Sequence, residues 1–259
     1  MVNTANTARA DFLGFAFEAM ETADAVRRLA ATASSGGPLL SVVTPNADHR
    51  VRLAREPALW PLYHSAGLVL NDSRVLARLA RFDGIDLPAS PGADVVAGLF
   101  ETVIRPDEPV VIIGGVETDI HALRARFGLA DVRWHQPPRG LRDNARAIDA
   151  AAAFMAANPA RFHFICVGSP QQEMVADAAR ARGDVRGVAL CCGASLEFLS
   201  GRVARAPRWM QAAGLEWLFR SFGREFALEL YGTAEWTAGF ALVADRYTDP
   251  HNRVFLVGD

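Results

Sequence analysis

Short apolar runs alternate with longer amphipathic stretches along most of this 259-residue chain, and this alternation limits the folds open to it. Apolar runs too short for helices predict strands over residues 39–44, 67–70, 109–113, 131–134, 162–167 and 187–192. The stretches between them have helical periodicity and predict helices over residues 47–63, 73–82, 93–105, 117–127, 142–157 and 171–182. Strands that alternate with helices form parallel sheets covered on both faces, so the sequence predicts an α/β fold.

Composition excludes several classes of function. Apolar residues make up 51% of the chain, which is enough for the core of one large domain or two small ones. All 27 basic residues are arginine. The lack of lysine excludes a P-loop phosphate site and Schiff-base chemistry, both of which need a lysine amine. The net charge of -2 argues against a nucleic-acid-binding surface, so we expect no nucleic-acid partner.

The cysteines and histidines do not have the spacing of a metal site. Cys166, Cys191 and Cys192 lie in apolar runs without CxxC spacing, which predicts buried free thiols in a reducing compartment. The six histidines form no HxH or HExxH pair, so we expect no metal ion and no resident cofactor. The first residues do not have the pattern of a signal peptide, and no apolar run has the length of a membrane span. These features favour a cytoplasmic protein.

Polar residues and glycines follow almost every predicted strand. Ligands of parallel α/β sheets bind beyond the carboxyl ends of the strands, so residues at these positions are candidates for a site. The candidates are Thr44, Asn46, Asp72, Gly114, Gly115, Gly168, Gln172 and Gly193.

Each strand-end candidate also has an ordinary structural interpretation, which local sequence statistics favour. Thr44 and Asn46 are typical of a turn that starts a helix, and the same side chains suit the binding of sugar hydroxyls. Asp72 suits an N-cap or an Asx turn as well as a general base. Gly114 and Gly115 allow close approach of the backbone to a ligand, but are too few for a dinucleotide fingerprint. Both kinds of role stay open at this point.

Arginine is concentrated after residue 200. Five arginines and one acidic residue lie between residues 201 and 224. A solvated face is the ordinary explanation for such a charge run, and a diphosphate or anionic lipid partner is the more specific one. Arg202, Arg205 and Arg208 would share one face of a helix, whereas Pro207 favours a loop.

Taken together, the motifs resemble the WecG/TagA/CpsF glycosyltransferases, from about residue 41 to residue 224. The likeness rests on Thr44-x-Asn46, Val69-Leu-Asn-Asp72, Gly168-x-Pro170-x-Gln172-Glu173 and the block from Gly193 to Arg220. Ser73 stands where the family often has glycine, and Ala89 stands where it often has arginine. The resemblance implies a Rossmann-like, mostly parallel α/β core, expected over residues 1–200. It also implies a helical C-terminal appendage, expected over residues 201–259, that closes the site.

The resemblance also implies roles for several of the candidate residues. Asp72 would be the general base, while Thr44, Asn46 and Gln172 would hold the sugar. The substrate pocket is expected to include Gly114, Gly115, Gly168, Gly193 and Glu197. Without a metal, arginine must neutralise the departing diphosphate. The arginines expected to do so are Arg205, Arg208, Arg220 and Arg224.

The implied reaction is an inverting, metal-independent transfer of a hexose or N-acetylhexosamine. The expected donor is a UDP-sugar, and the expected acceptor is a polyprenyl-diphosphate-linked saccharide in bacterial surface or exopolysaccharide synthesis. Peripheral contact with the cytoplasmic face of the inner membrane and self-association are both compatible with this interpretation. A nucleotide-sugar-binding regulatory or scaffold protein without catalysis is the alternative. A nicotinamide dehydrogenase is disfavoured, because no GxGxxG follows a strand.

Overall fold

A computed structural model describes residues 8–207, 209 and 210. An antiparallel hairpin of β1 (Arg9–Phe12) and β2 (Phe15–Glu18) begins the described part. The main sheet follows, and its strands are β3 (Leu40–Val43), β4 (Leu68–Val69), β5 (Val110–Gly114), β6 (Val132–His135), β7 (Phe162–Cys166) and β8 (Val188–Cys191).

The helices fall between these strands and after the last of them. They are α1 (Thr22–Ser34), α2 (Ala47–Arg55), α3 (Trp60–His64), α4 (Arg74–Phe82), α5 (Gly92–Thr102), α6 (Glu117–Phe127), α7 (Ala145–Ala157), α8 (Gln171–Arg182) and α9 (Ser195–Ser200). Short 3-10 turns cover Pro57–Leu59 and Leu141–Asp143.

The main sheet is parallel throughout, with the strand order β4-β3-β8-β7-β5-β6. The carboxyl ends of all these strands therefore lie at one edge, where the loops to the following helices begin. Every residue of β5 and β8 is buried, because helices cover both faces. This double coverage explains why those strands are continuous apolar runs in the sequence.

Two apolar cores fill the space between the sheet and its helices. One core packs the hairpin, α3, α7 and α8 against the sheet, and includes Phe15, Tyr63, Met155 and Val175. The other packs α1, α5, α6 and α9 against the sheet, and includes Leu29, Leu99, Leu123 and Leu196. The predicted α/β fold with a parallel sheet covered on both faces is confirmed.

A single helix over residues 47–63 was the wrong prediction. The chain forms α2 up to Arg55, a 3-10 turn, and then α3 from Trp60. Pro57 has no N–H for a helical hydrogen bond, and it disfavours helical geometry at the preceding residue. Glu56 accordingly has φ -130° and ψ 70°. The predicted helix over residues 142–157 likewise begins later, at Ala145, with Asn144 as its N-cap.

The chain divides into two units, Met1–Ala204 and Arg205–Asp259. The fold described above belongs to the first unit. The predicted helical appendage over 201–259 lies almost wholly outside the described residues, so it stays a prediction. No helix between residues 8 and 207 is long and apolar enough to cross a membrane.

Asp119 of α6 anchors the turn that follows α9. Its carboxylate is 1% exposed and accepts hydrogen bonds from Ser200 Oγ at 2.7 Å and from Arg202 Nε and Nη2 at 2.8 and 3.0 Å. Burial alone would raise the pKa of Asp119, but these hydrogen bonds outweigh it and hold the pKa below its ordinary value. Arg202 is therefore part of a structural ion pair, and residues 201–207 are not helical.

We expect Asp119→Ala to lower the free energy of unfolding by about 2 kcal/mol, because it leaves the Ser200 and Arg202 donors without their buried acceptor. The figure stays modest because the Arg202 side chain is 39% exposed. A group whose pKa is depressed by folding stabilises the protein fully above its unfolded pKa, about 4, and this contribution is lost as the pH falls below that value. Urea unfolding at several pH values measures both effects. Asp107→Ala is the matched control, because that ion pair with Arg105 is exposed. Equal losses in the two variants would contradict the prediction.

Candidate functional site

The sequence candidates lie in spatial order along one edge of the sheet. Asp72 follows β4, Asn46 follows β3, Gly193 follows β8, and Gln172 opens α8 after β7. Gly114 and Gly115 stand at the end of β5, one strand further along. The parallel topology therefore brings to one edge residues that are far apart in the sequence, although it does not test their predicted roles.

Asp72 is oriented through both oxygens of its carboxylate. Oδ1 accepts the backbone N–H of Gly92 at 2.7 Å, and Oδ2 accepts Nδ2 of Asn46 at 3.2 Å. Asp72 is not the N-cap of α4, because Ser73 fills that position and its Oγ accepts the N–H of Leu76 at 3.1 Å. The Asx turn belongs to Asn71, whose Oδ1 accepts the N–H of Ser73 at 3.0 Å. Asp72 therefore has neither of the local roles that its sequence context favoured, and its Oδ1 instead accepts an N–H at the start of α5.

Ser73 has a clear local function where the family often has glycine. A serine in the N-cap position accepts a hydrogen bond from the first turn of the helix, which stabilises its start by about 1 kcal/mol relative to alanine. Ser73 thus fixes the start of α4 directly after Asp72.

Asn46 combines the two roles that the sequence left open. It is the N-cap of α2, and its Oδ1 accepts the N–H of Asp48 at 3.1 Å and of His49 at 3.3 Å. These donors fix which end of the amide faces the helix, so Nδ2 points at Asp72. His49 Nδ1 lies 2.7 Å from the same Oδ1 and 3.3 Å from the backbone nitrogen of Asn46, so its role as donor or acceptor depends on the tautomer of the ring.

Gln172 and Glu173 continue this polar chain under the ends of β7 and β8. Gln172 Nε2 donates to Glu173 Oε1 at 2.9 Å, and Gln172 Oε1 accepts the N–H of Gly193 at 2.8 Å. Glu173 is 2% exposed, its Oε2 has no hydrogen-bond partner, and burial raises its pKa. His49 Nε2 lies 3.9 Å from Glu173 Oε1 and completes the connection.

A chain of polar groups therefore lies along the ends of four adjacent strands. It runs from Asp72 through Asn46, His49, Glu173 and Gln172 to the backbone of Gly193. We call these residues the strand-end chain. Every separation but one is a hydrogen bond, and the exception is the His49–Glu173 contact. Gln172 and Glu173 are buried, and Asp72, Asn46 and His49 are half-buried. Hydrogen-bonded polar groups of this kind fix side-chain orientation, because each member would lose a partner if it rotated.

Thr44 and Gly92 complete the surroundings of Asp72. Thr44 Oγ1 lies 3.5 Å from the carbonyl oxygen of Cys191. A Cβ on Gly92 would lie 2.8 Å from Thr44 Oγ1, so only glycine lets this loop approach closely enough for its N–H to reach Asp72. Thr44 thus adjoins the Asp72 loop, and its predicted contact with the sugar stays a prediction.

The glycines at the other strand ends meet different requirements. Gly114 has φ +90°, and a Cβ there would lie 2.8 Å from the carbonyl oxygen of Cys166. Packing between β5 and β7 is therefore sufficient reason for this glycine. Gly115 and Gly168 also have positive φ, but no atom lies within 4 Å of a Cβ built on either of them. The open space beside these two backbones leaves room for a ligand.

The structure does not test the roles predicted for Glu197 and the four arginines. Glu197 on α9 lies in an ion pair with Arg202 at 3.0 Å, so its predicted contact with substrate stays untested. Arg205 belongs to the second unit of the chain. Arg208, Arg220 and Arg224 lie outside the described residues. The diphosphate site predicted from these arginines is therefore still a prediction.

Sequence reasoning missed His49 and Gly92. His49 is the third residue of α2, where a capping box normally has Glu or Gln, so the Asn46-x-x-His49 spacing was the available signal. Gly92 had no local signal, because its contact with Asp72 spans 20 residues. Among residues 8–207, 209 and 210, no three His, Cys, Asp or Glu side chains gather as metal ligands do, and metal-independent chemistry stays a prediction.

Comparison with protein families places this geometry in a known context. The family model described as the glycosyl transferase WecG/TagA/CpsF family matches residues 10–224, which include the strand-end chain and the whole parallel sheet. The match covers well over half of the chain, and the predicted resemblance is confirmed: the protein belongs to the WecG/TagA/CpsF family of glycosyl transferases.

Proposed function

We propose that the protein is an inverting glycosyltransferase that uses Asp72 as its general base. The family supports glycosyl transfer in the synthesis of cell-envelope polysaccharide. The observation that carries the finer proposal is the orientation of Asp72, which does not cap the helix that follows it. Its two oxygens are held at the carboxyl edge of the sheet by the N–H of Gly92, at the start of α5, and by Asn46. An oriented carboxylate at the ligand-binding edge of an α/β sheet suits proton abstraction.

In the proposed reaction, a hydroxyl of the acceptor saccharide attacks the anomeric carbon of a UDP-sugar from the side opposite the diphosphate. A new C–O bond forms as the bond to the diphosphate breaks, and UDP leaves with the electron pair. Asp72 takes the proton of the attacking hydroxyl. A carboxylate oxygen accepts more than one hydrogen bond, so Oδ2 is able to bind Asn46 and the acceptor hydroxyl at once.

The leaving diphosphate needs positive charge. The guanidinium group of arginine donates two parallel hydrogen bonds to phosphate oxygens. Arginine is therefore the suitable residue in a chain without lysine. We propose Arg205, Arg208, Arg220 and Arg224 for this role: the family resemblance implies Arg220 and Arg224, and the local concentration of arginine adds Arg205 and Arg208. Thr44 and Gln172 are proposed to contact the sugar, alongside the backbones of Gly115 and Gly168.

A polyprenyl-diphosphate-linked saccharide is the proposed acceptor, and a hexose or an N-acetylhexosamine is the proposed transferred sugar. The test is UDP release from purified full-length protein, with a panel of UDP-sugars and a lipid-linked acceptor, with and without EDTA. We expect release only when donor and acceptor are both present, and no loss with EDTA. UDP binding without turnover across the panel would instead support the regulatory or scaffold protein.

A further inference from the structure

The histidine of the strand-end chain has no role in the proposed reaction so far. His49 lies on the first turn of α2 and its side chain is 13% exposed. Its ring packs edge-on against Tyr63, with centroids 6.1 Å apart. A histidine placed here for helix capping alone would use its ring to accept the N–H of Asn46, which points at Nδ1 from 3.3 Å. The contact with Asn46 Oδ1 is shorter and opposes that arrangement.

The two contacts of Nδ1 require different protonation states of the ring. Accepting the Asn46 N–H needs a bare Nδ1, whereas a 2.7 Å contact with an amide oxygen needs a proton on it. From the shorter contact we infer the Nδ1–H form, in which His49 donates to Asn46 Oδ1. With the N–H groups of Asp48 and His49, this makes three donors on one oxygen.

From this arrangement we propose that His49 is a positioning residue for glycosyl transfer, which acts on Asp72 through the amide of Asn46. The inference rests on the proposed role of Asp72. Three donors on Oδ1 hold the amide plane, and only the opposite end of that amide, Nδ2, contacts the carboxylate. If His49 is lost, the amide keeps its helix-capping bonds but turns more easily about its last torsion, and the Nδ2 donor moves relative to Asp72.

Glu173 lies on the other side of the His49 ring. Its Oε1 accepts Gln172 Nε2 at 2.9 Å and lies 3.9 Å from His49 Nε2. That separation is beyond hydrogen-bond distance, so the contact does not require a proton on Nε2. The position of Glu173 thus agrees with the Nδ1–H form of His49.

Three substitutions of His49 separate positioning from packing. His49→Phe keeps the ring volume and removes both nitrogens. His49→Asn places an amide N–H near the position of Nδ1 and keeps the donor to Asn46. His49→Gln places its amide nearer the position of Nε2 and loses that donor. His64→Phe is the matched control, because that ring stacks on Trp60 at 5.1 Å, outside the strand-end chain.

We expect His49→Phe and His49→Gln to lower kcat by roughly tenfold to thirtyfold, since displacing a catalytic group by about 1 Å can cost up to a hundredfold. The KM for the donor and the affinity for UDP should change by less than about threefold, because Asp72 acts on the acceptor hydroxyl. His49→Asn should restore kcat to within about threefold of the wild type. In an Asn46→Ala background, His49→Phe should have no further effect, as expected for residues that act through one another.

A spectroscopic measurement tests the protonation of the His49 ring without an activity assay. Nitrogen-15 spectra of the imidazole rings, assigned by the signals lost in His49→Phe, report which nitrogen carries the proton when the ring is neutral. We expect the Nδ1–H form in the wild type and a shift toward the Nε2–H form in Asn46→Ala. A dominant Nε2–H form in the wild type would overturn the proposal. So would unchanged kcat in His49→Phe, or equal losses in His49→Phe and His49→Asn. Absence of turnover in the wild type would count against the proposed function alone, because the spectra still test the arrangement.

Discussion

Asp72→Asn should reduce kcat for glycosyl transfer by about a thousandfold, within the range that a positioned general base contributes. The substitution keeps the size of the side chain but removes the group that accepts the proton of the acceptor hydroxyl. One of its two present hydrogen bonds must also be lost, because the new amide nitrogen would face either the Gly92 N–H or Asn46 Nδ2, and both are donors. We therefore expect a loss of about 1 kcal/mol in the free energy of unfolding beside the loss of turnover.

Single-turnover measurement of UDP release, together with calorimetric binding of UDP, checks this prediction. UDP affinity should stay within about twofold of the wild type, since general-base action contributes to the reaction step and not to ground-state binding. Asp48→Asn is the matched control, because Asp48 is an exposed carboxylate on the same edge and contacts the strand-end chain only through its backbone N–H. Full turnover in Asp72→Asn would mean that the assigned base is wrong.

The fold was largely predictable from the sequence because its signals are local. Fully buried strands such as β5 appear as continuous runs of Val and Ile, and the predicted bounds of α6 and α8 agree with the structure at both ends. The hairpin of β1 and β2 was not predicted, because β1 is not a continuous apolar run: Arg9 and Asp11 alternate with Ala10 and Phe12. Pro57 was a local signal that the prediction did not use, and the structure has two helices where one was predicted.

The site was predictable as a set of residues but not as an arrangement. The position of a residue at the end of a strand follows from periodicity, and this alone located Asn46, Asp72 and Gln172 at one edge. The orientation of Asp72 depends on Gly92, at the start of α5, and on Asn46, at the start of α2, which approach it from other parts of the chain. His49 was missed for the same reason, since its second contact, with Glu173, joins residues far apart in the sequence.

Asn46→Asp should lower kcat at neutral pH by about a hundredfold, although aspartate is as good an N-cap as asparagine. The oxygen that replaces Oδ1 keeps its three donors, from Asp48, His49 and the His49 ring. The oxygen that replaces Nδ2 faces Asp72 Oδ2 across the present 3.2 Å, where two negative charges cannot both be accommodated. The two carboxyl groups would share one proton up to a higher pH than either would alone, and a base that holds a proton cannot accept another.

The pH dependence of kcat for Asn46→Asp distinguishes the effect of the added charge from a loss of Asp72 positioning. As the pH rises, the shared proton dissociates and Asp72 regains its ability to accept the acceptor proton, so kcat of Asn46→Asp should rise with pH over a range where the wild type is level. Asn46→Ser is the matched control: it keeps a capping oxygen, adds no charge, and should lose about tenfold in kcat with no new pH dependence. Measuring kcat against pH for the three proteins decides the matter. Parallel pH profiles for both variants would show that Asn46 does not act on Asp72 through the Nδ2–Oδ2 contact, and with it the strand-end chain would lose its connection to the reaction.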